Sequence, residues 1–301
     1  MSSLAAWFRL LRPLNLALVA LTPPAVWASL VRPLPSEPEL TLGQIGLVGL
    51  AVACVAGAGN VVNDIADQTI DELNGRPNPL LGPVSVAGAW ATYGVLSAVA
   101  AVLTWQLAVD LDRLPYAALL PLATGGLLGY AFAWKCVPWI GNLLVAVFCA
   151  GVPGIVVVAE PTVLAESDSL LSQSLFAYVG FAFFGTWARE LVKDLQDRAG
   201  DEAAGCAHLA VRWSERSTLK LVGLILFGAL AIVAWLGASW ALAEEYAGAL
   251  TWGGLWLLLA GIVTRIELPP RATDYASLSR NLKLAIIFGL AFLLLGGVGG
   301  A

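Results

Sequence analysis

Nine long apolar runs, separated by short polar stretches, set the rhythm of this chain. They extend from Leu14 to Val31, Thr41 to Asn63, Val84 to Val109, Leu114 to Ala133, Val137 to Ala159, Leu170 to Ala188, Thr218 to Trp240, Tyr246 to Val263, and Leu282 to Gly300. A helix needs about 20 apolar residues to cross the hydrocarbon of a bilayer, so the pattern predicts an all-α membrane protein of nine transmembrane helices. Two spans carry breakers, Pro23-Pro24 in the first and Gly151-Val-Pro-Gly154 in the fifth. Kinks there are tolerated where neighbouring helices or a cavity satisfy the freed backbone groups. The first span follows Arg9 and Arg12 as a signal peptide would, with Val26-Trp-Ala28 resembling a cleavage site. Its length exceeds a usual signal-peptide core, and it is read as a retained span.

Composition agrees with the pattern. The chain is 59% hydrophobic and 12% charged, with a mean hydropathy of +0.81, far from a soluble domain. Of its 16 Lys and Arg, all but Arg32 and Arg113 lie in or beside the amino-terminal segment and alternate loops. That bias predicts a cytoplasmic amino terminus and, with an odd number of spans, an outside carboxy terminus. The net charge of −5 argues against nucleic acid as a partner. Many of the 12 Trp stand near span ends, where the ring suits the membrane interface. Cys54, Cys136, Cys149 and Cys206 show no paired spacing and, with one His, no zinc signature. They read as small helix or loop residues.

Against this background two clusters of acids are out of place. At about 100° per residue, Asn60, Asp64, Asp67 and Asp71 share one helical stripe at the end of the second span. Asp194, Asp197 and Asp201 repeat the i, i+3, i+7 spacing after the sixth. Each ionisable group costs about 2.5–3.5 kcal/mol at full membrane depth, so such ladders imply a ligand. The spacing lacks the alternating ligands and glycine turn of an EF-hand; hard oxygens with few bases suit Mg²⁺ shared with a phosphate-bearing substrate. Both ladders fall on the predicted cytoplasmic side, four spans apart, which hints at repeated four-helix units with the ninth helix left over.

These residues carry a resemblance. Asn63-Asp-Ile-Ala-Asp-Gln-Thr-Ile-Asp71, with Asn60 ahead of it, resembles the first aspartate-rich motif of the UbiA superfamily of intramembrane prenyltransferases. Lys193-Asp-Leu-Gln-Asp-Arg-Ala-Gly-Asp201 resembles the second, in the form shared by the digeranylgeranylglyceryl phosphate synthases, chlorophyll synthases and relatives. Arg12-Pro-Leu-Asn15 is similar to the start of the family's first helix. Tyr130 to Lys135, followed by Pro138-Trp-Ile-Gly-Asn142, is similar to its Tyr/Lys loop and fifth helix. Two departures stand out. Asn78 occupies the place of an expected Arg, for which Arg76 stands as substitute, and Gly205-Cys-Ala-His-Leu209 lacks a usual basic residue. His208 is read as a loop or packing histidine.

The resemblance implies a bundle around a central cavity, capped by cytoplasmic loops, in a single domain spanning residues 1–301. It implies Mg²⁺ on Asp64, Asp67, Asp71, Asp194, Asp197 and Asp201, and a polyprenyl diphosphate whose allylic cation is captured by a lipophilic acceptor. Lys135, Lys193 and Arg198 would hold the leaving diphosphate, and Tyr130 would shield the cation or contact phosphate. Asn60, Arg12, Asn15, Arg76 and Asn142 would bind the substrates. The acceptor classes are a glycerol phosphate lipid, a quinone-type ring or a tetrapyrrole carboxylate. The geranylgeranyl group is the expected cargo, membrane lipids are the surroundings, and no protein partner is implied. Alternatives are a terpene cyclase of the same scaffold and a transporter. The transporter is disfavoured because coupling sites usually lie near the midplane.

Overall fold

The computed structural model describes residues 3–264, 266 and 275–296, and every regular element among them is helical. In chain order these are α1 (Ser3–Leu11), α2 (Pro13–Val26), α3 (Leu42–Ala66), α4 (Gln68–Leu73), α5 (Val86–Asp110), α6 (Leu119–Gly129), α7 (Ile140–Ala159), α8 (Thr162–Ala165), α9 (Leu170–Ala203), α10 (Leu209–Arg212), α11 (Glu215–Leu242), α12 (Tyr246–Val263) and α13 (Tyr275–Gly296). Eight helical stretches among the described residues are long and apolar enough to span a membrane. The expected ninth span maps onto α13 as far as Gly296, and its residues 297–300 lie outside the described residues.

The helix starts are written locally. Thr41 caps α3 in a reciprocal box with Gln44, which satisfies two of the amides a helix leaves unpaired. Ser85 and Ser214 cap α5 and α11 through their hydroxyls. Pro23 and Pro24 sit inside α2, and the following residues Trp27–Val31 widen into a π-helical turn, the kind of local adjustment that missing proline donors invite.

The chain forms two compact units. The first comprises residues 1–24, 41–141 and 199–207. Its centre is α3, packed on α5 and α6. Ala6, Leu10, Val61, Ile65, Leu80, Val84 and Ala89 make one buried cluster with Trp7 and Tyr93 beside it. Gly49 lets α3 meet α2 closely, since a Cβ there would stand 2.2 Å from the Ala20 carbonyl oxygen. Cys136 and Cys206 form a disulfide in this unit, which corrects the expectation of four unpaired thiols. The partners are 70 residues apart in sequence, so no local spacing could have announced the bond.

The second unit comprises residues 25–40, 142–198 and 208–301. Here α12 packs on both α11 and α13, and Leu195, Ala210 and Leu219 form a cluster bordered by Ile266 and Tyr275. Among its described residues the most enclosed acid is Glu160, fully buried just past α7. That carboxylate accepts from Trp27 Nε1 at 3.2 Å, the Glu39 amide at 2.7 Å, the Leu40 amide at 3.0 Å and Thr162 Oγ1 at 3.2 Å. It thereby ties residues 27–40 to the end of α7.

Candidate active site

The first ladder is bent rather than straight. Helix α3 stops at Ala66, and Asp67 leaves helical geometry with φ −90° and ψ 1° before α4 begins. The backbone bonds from Asp67 to Asn63 (2.9 Å) and from Asp71 to Asp67 (2.7 Å) continue through the bend. Asp64 and Asp67 are buried at 5% and 6% exposure.

Within the first unit each ladder carboxylate meets a donor. Arg12 lies between α1 and α2 with φ 54°, a left-handed conformation that costs a non-glycine residue about 1–2 kcal/mol. From there its guanidinium donates to Asp64 Oδ1 at 2.5 Å and Asn60 Oδ1 at 3.0 Å. Asn60 in turn donates to the Leu11 carbonyl at 3.3 Å. Lys135 follows a π-helical turn, Tyr130–Trp134, and its ammonium reaches Asp67 Oδ2 at 2.5 Å, the oxygen that also accepts from Asn63 at 2.6 Å. Tyr130 is half-buried in that turn, and the Asn15 amide donates to the Arg12 carbonyl.

Asn78 was not foreseen as a site residue. Its buried amide donates to Asp71 Oδ2 and to the Asp64 carbonyl, both at 2.8 Å, while its own oxygen accepts from the Leu80 amide at 2.9 Å. Burial pushes the Asp71 carboxyl above its ordinary range, and the Asn78 hydrogen bond and the nearby Lys135 and Arg76 oppose that rise. Arg76, the expected substitute for the missing arginine, donates its backbone amide to the Asp71 carbonyl at 2.7 Å. Asp201 is buried and accepts from Asn74 at 3.1 Å. At Gly200 a Cβ would collide with the Asn74 side chain at 2.2 Å.

In the second unit, α9 runs well past Ala188, where the apolar run ends, so Asp194 and Asp197 sit on continuing helix. Asn142 donates to Asp194 Oδ2 at 2.8 Å. His208, expected as a loop or packing residue, is 3% exposed with Nδ1 3.6 Å from the same oxygen. Arg198 Nη2 lies 3.5 Å from the Val211 carbonyl. Lys193 contacts Glu190 at 3.3 Å, and Arg189 contacts it at 2.6 Å. The only advance signals for Asn78 and His208 were the two departures from the family motifs.

The donor chemistry fits a hard divalent cation. Carboxylate and amide oxygens are what Mg²⁺ prefers, and each carboxylate has lone pairs for a base and a metal together. The basic contacts fall on one oxygen of Asp64 and one of Asp67.

Comparisons with known proteins agree with these features. The sequence model of the UbiA prenyltransferase family matches residues 21–287. A digeranylgeranylglyceryl phosphate synthase from Methanoregula boonei is 32% identical over 85% of this chain and 80% of its own length. One from Halobacterium salinarum is 31% identical over 86% of each. Among solved structures, one described as a digeranylgeranylglyceryl phosphate synthase in membranes aligns with a TM-score of 0.67 over 99% of both chains at 20% identity. A UbiA homologue from Aeropyrum pernix K1 aligns with a TM-score of 0.63 over 93% of this chain and 96% of its own at 18% identity. With apolar membrane-length helices, two aspartate ladders and a family match across most of its length, the chain belongs to the UbiA prenyltransferase family and is a multi-pass membrane prenyltransferase.

Proposed function

We propose that this enzyme transfers a geranylgeranyl group from its diphosphate to a glycerol phosphate lipid in the membrane, with Mg²⁺ as cofactor. The observation that carries the reading is the likeness to digeranylgeranylglyceryl phosphate synthases, at 31–32% identity across more than four fifths of the chain. The buried carboxylates with Arg12 and Lys135 on their oxygens support it. Nine spans around a cavity, an amino terminus in the cytoplasm and a carboxy terminus outside complete the proposal.

In this reading Asp64, Asp67, Asp71, Asp194, Asp197 and Asp201 are the metal ligands. Bound Mg²⁺ supplies positive charge against the diphosphate as the allylic C–O bond breaks. Arg12 and Lys135 exchange a carboxylate contact for a phosphate oxygen, so positive charge is already in place when the leaving group departs. Arg198 adds to that charge, and Asn60, Asn15, Arg76 and Asn142 orient the bound heads. Tyr130 offers its ring to the allylic cation, an interaction worth about 0.5–2 kcal/mol. Apolar helix faces keep water from capturing the cation first.

The test is turnover by purified protein with Mg²⁺ and geranylgeranyl diphosphate, with and without geranylgeranylglyceryl phosphate, an aromatic quinone precursor or a tetrapyrrole acid. Diphosphate release and product mass are followed together. Mass addition to the glycerol phosphate acceptor is the expected outcome. Addition only to another acceptor, or an acceptor-independent hydrocarbon, would replace this reading with quinone or tetrapyrrole prenylation or with terpene cyclisation.

A further inference from the structure

Helix α9 carries a second charged group, one turn before its ladder. Arg189 Nη1 donates to Glu190 Oε1 at 2.6 Å, and Lys193 Nζ lies 3.3 Å from Glu190 Oε2. Glu190 is only 8% exposed, although it stands on a helix long and apolar enough to cross a membrane. A buried carboxylate with two bases gives little net stability relative to apolar side chains of the same size, so packing alone does not account for the trio. Arg189 Nε is buried and, among the described residues, donates to nothing. A buried polar group without an acceptor calls for an explanation, and for a guanidinium the natural acceptor is an oxyanion.

We infer that Arg189, Glu190 and Lys193 form the acceptor subsite, in which the two bases hold an anionic phosphate monoester on the acceptor lipid and Glu190 takes the proton from its hydroxyl group. The inference rests on the glycerol phosphate reading above. The trio carries one net positive charge, suited to a phosphate monoester. Four residues separate Glu190 from Asp194, about 6 Å along the helix, a distance that a glycerol head group spans. Glu190 distinguishes this subsite from a second diphosphate clamp. A diphosphate calls for more positive charge than the trio's single net charge, whereas a carboxylate beside an attacking hydroxyl is a base. In the transfer step the acceptor oxygen forms its bond to C1 of the prenyl chain. The C1–O bond to diphosphate breaks, and its electron pair leaves on diphosphate. The hydroxyl proton passes to Glu190 and from there to solvent.

Steady-state kinetics of the full-length protein in lipid nanodiscs test this, with geranylgeranyl diphosphate as donor and either geranylgeranylglyceryl phosphate or its phosphate-free alcohol as acceptor. For the wild-type protein the alcohol should show an acceptor KM about tenfold higher, with donor KM unchanged. Arg189→Lys keeps a charge beside Glu190 but removes Nε; it should raise the phosphate acceptor's KM about tenfold and narrow the preference over the alcohol. Glu190→Gln should lower kcat about a hundredfold with acceptor KM little changed. Equal use of the two acceptors by the wild-type protein, which requires no variant to fold, overturns the inference. So does a rise in donor KM instead of acceptor KM. If the wild-type protein uses neither glycerol acceptor yet prenylates another class, the functional reading fails and the subsite falls with it. If it transfers to the phosphate acceptor and both variants behave as wild type, the subsite alone fails.

Discussion

Replacing Asn78 with alanine tests whether the loop after α4 shapes the first aspartate ladder. The amide makes three hydrogen bonds of 2.8–2.9 Å from a buried position, two to backbone groups and one to the Asp71 carboxylate. Bonds between neutral groups contribute about 0.5–1.5 kcal/mol each and one to a charged group about 1.5–3 kcal/mol. Asn78→Ala should therefore destabilise the protein by about 3–4 kcal/mol, read as a lower Tm in detergent with the wild type alongside. The same change frees Asp71 and should slow metal-dependent diphosphate release about a hundredfold, the cost of misplacing a site group by roughly 1 Å. There is also a pH signature. Burial already raises the Asp71 pKa and the Asn78 hydrogen bond holds it down, so removing that bond raises it further. Metal binding needs the deprotonated carboxylate, and protons compete more strongly as pH falls. The acid limb of the rate profile should accordingly move to higher pH in Asn78→Ala, most clearly at limiting Mg²⁺. A double-mutant cycle with Asp71→Asn should return a coupling of about 1–2 kcal/mol. An unchanged Tm with diphosphate release within twofold of wild type would refute the reasoning.

Three further outcomes are expected. Asp64→Asn or Asp197→Asn should abolish turnover with Tm nearly unchanged, because each removes a metal ligand but not the volume it fills; near-normal activity in either would remove that residue from the metal site. Glu160→Ala strips four donors of one buried acceptor and should cost about 1–3 kcal/mol for each donor left unsatisfied, seen as a large fall in Tm and faster proteolysis within residues 27–40. Reducing the Cys136–Cys206 bond opens a closure 70 residues long, worth about 4 kcal/mol in the chain-entropy account, so treatment with a dithiol should lower the Tm of the wild type but not of Cys136→Ser.

The sequence marked the elements that repeat a physical period and hid those created by folding. Membrane spans were legible because about 20 apolar residues in a row have few other uses. The ladders were legible because acids at helical spacing beside such a run are expensive. The bend at Asp67 was not: the i, i+3, i+7 spacing fits a straight helix as well as one broken and resumed at once. Nor was Glu160, three of whose four donors come from residues 27, 39 and 40, more than a hundred positions away.

Asn78 is the most instructive failure. Read against the family motif it was a missing arginine, a loss of charge for Arg76 to repair. In the folded chain it is a neutral donor enclosed between the Asp64 carbonyl and the Asp71 carboxylate, where a guanidinium would need further acceptors for its remaining N–H groups. Arg76 does act on Asp71, and further positive charge reaches this ladder from Arg12 and Lys135, 52 and 68 residues from the acids they contact. A motif comparison records which side chain stands at a position. Which neighbours add to that charge depends on the fold, and here two of them lie far from the motif in sequence.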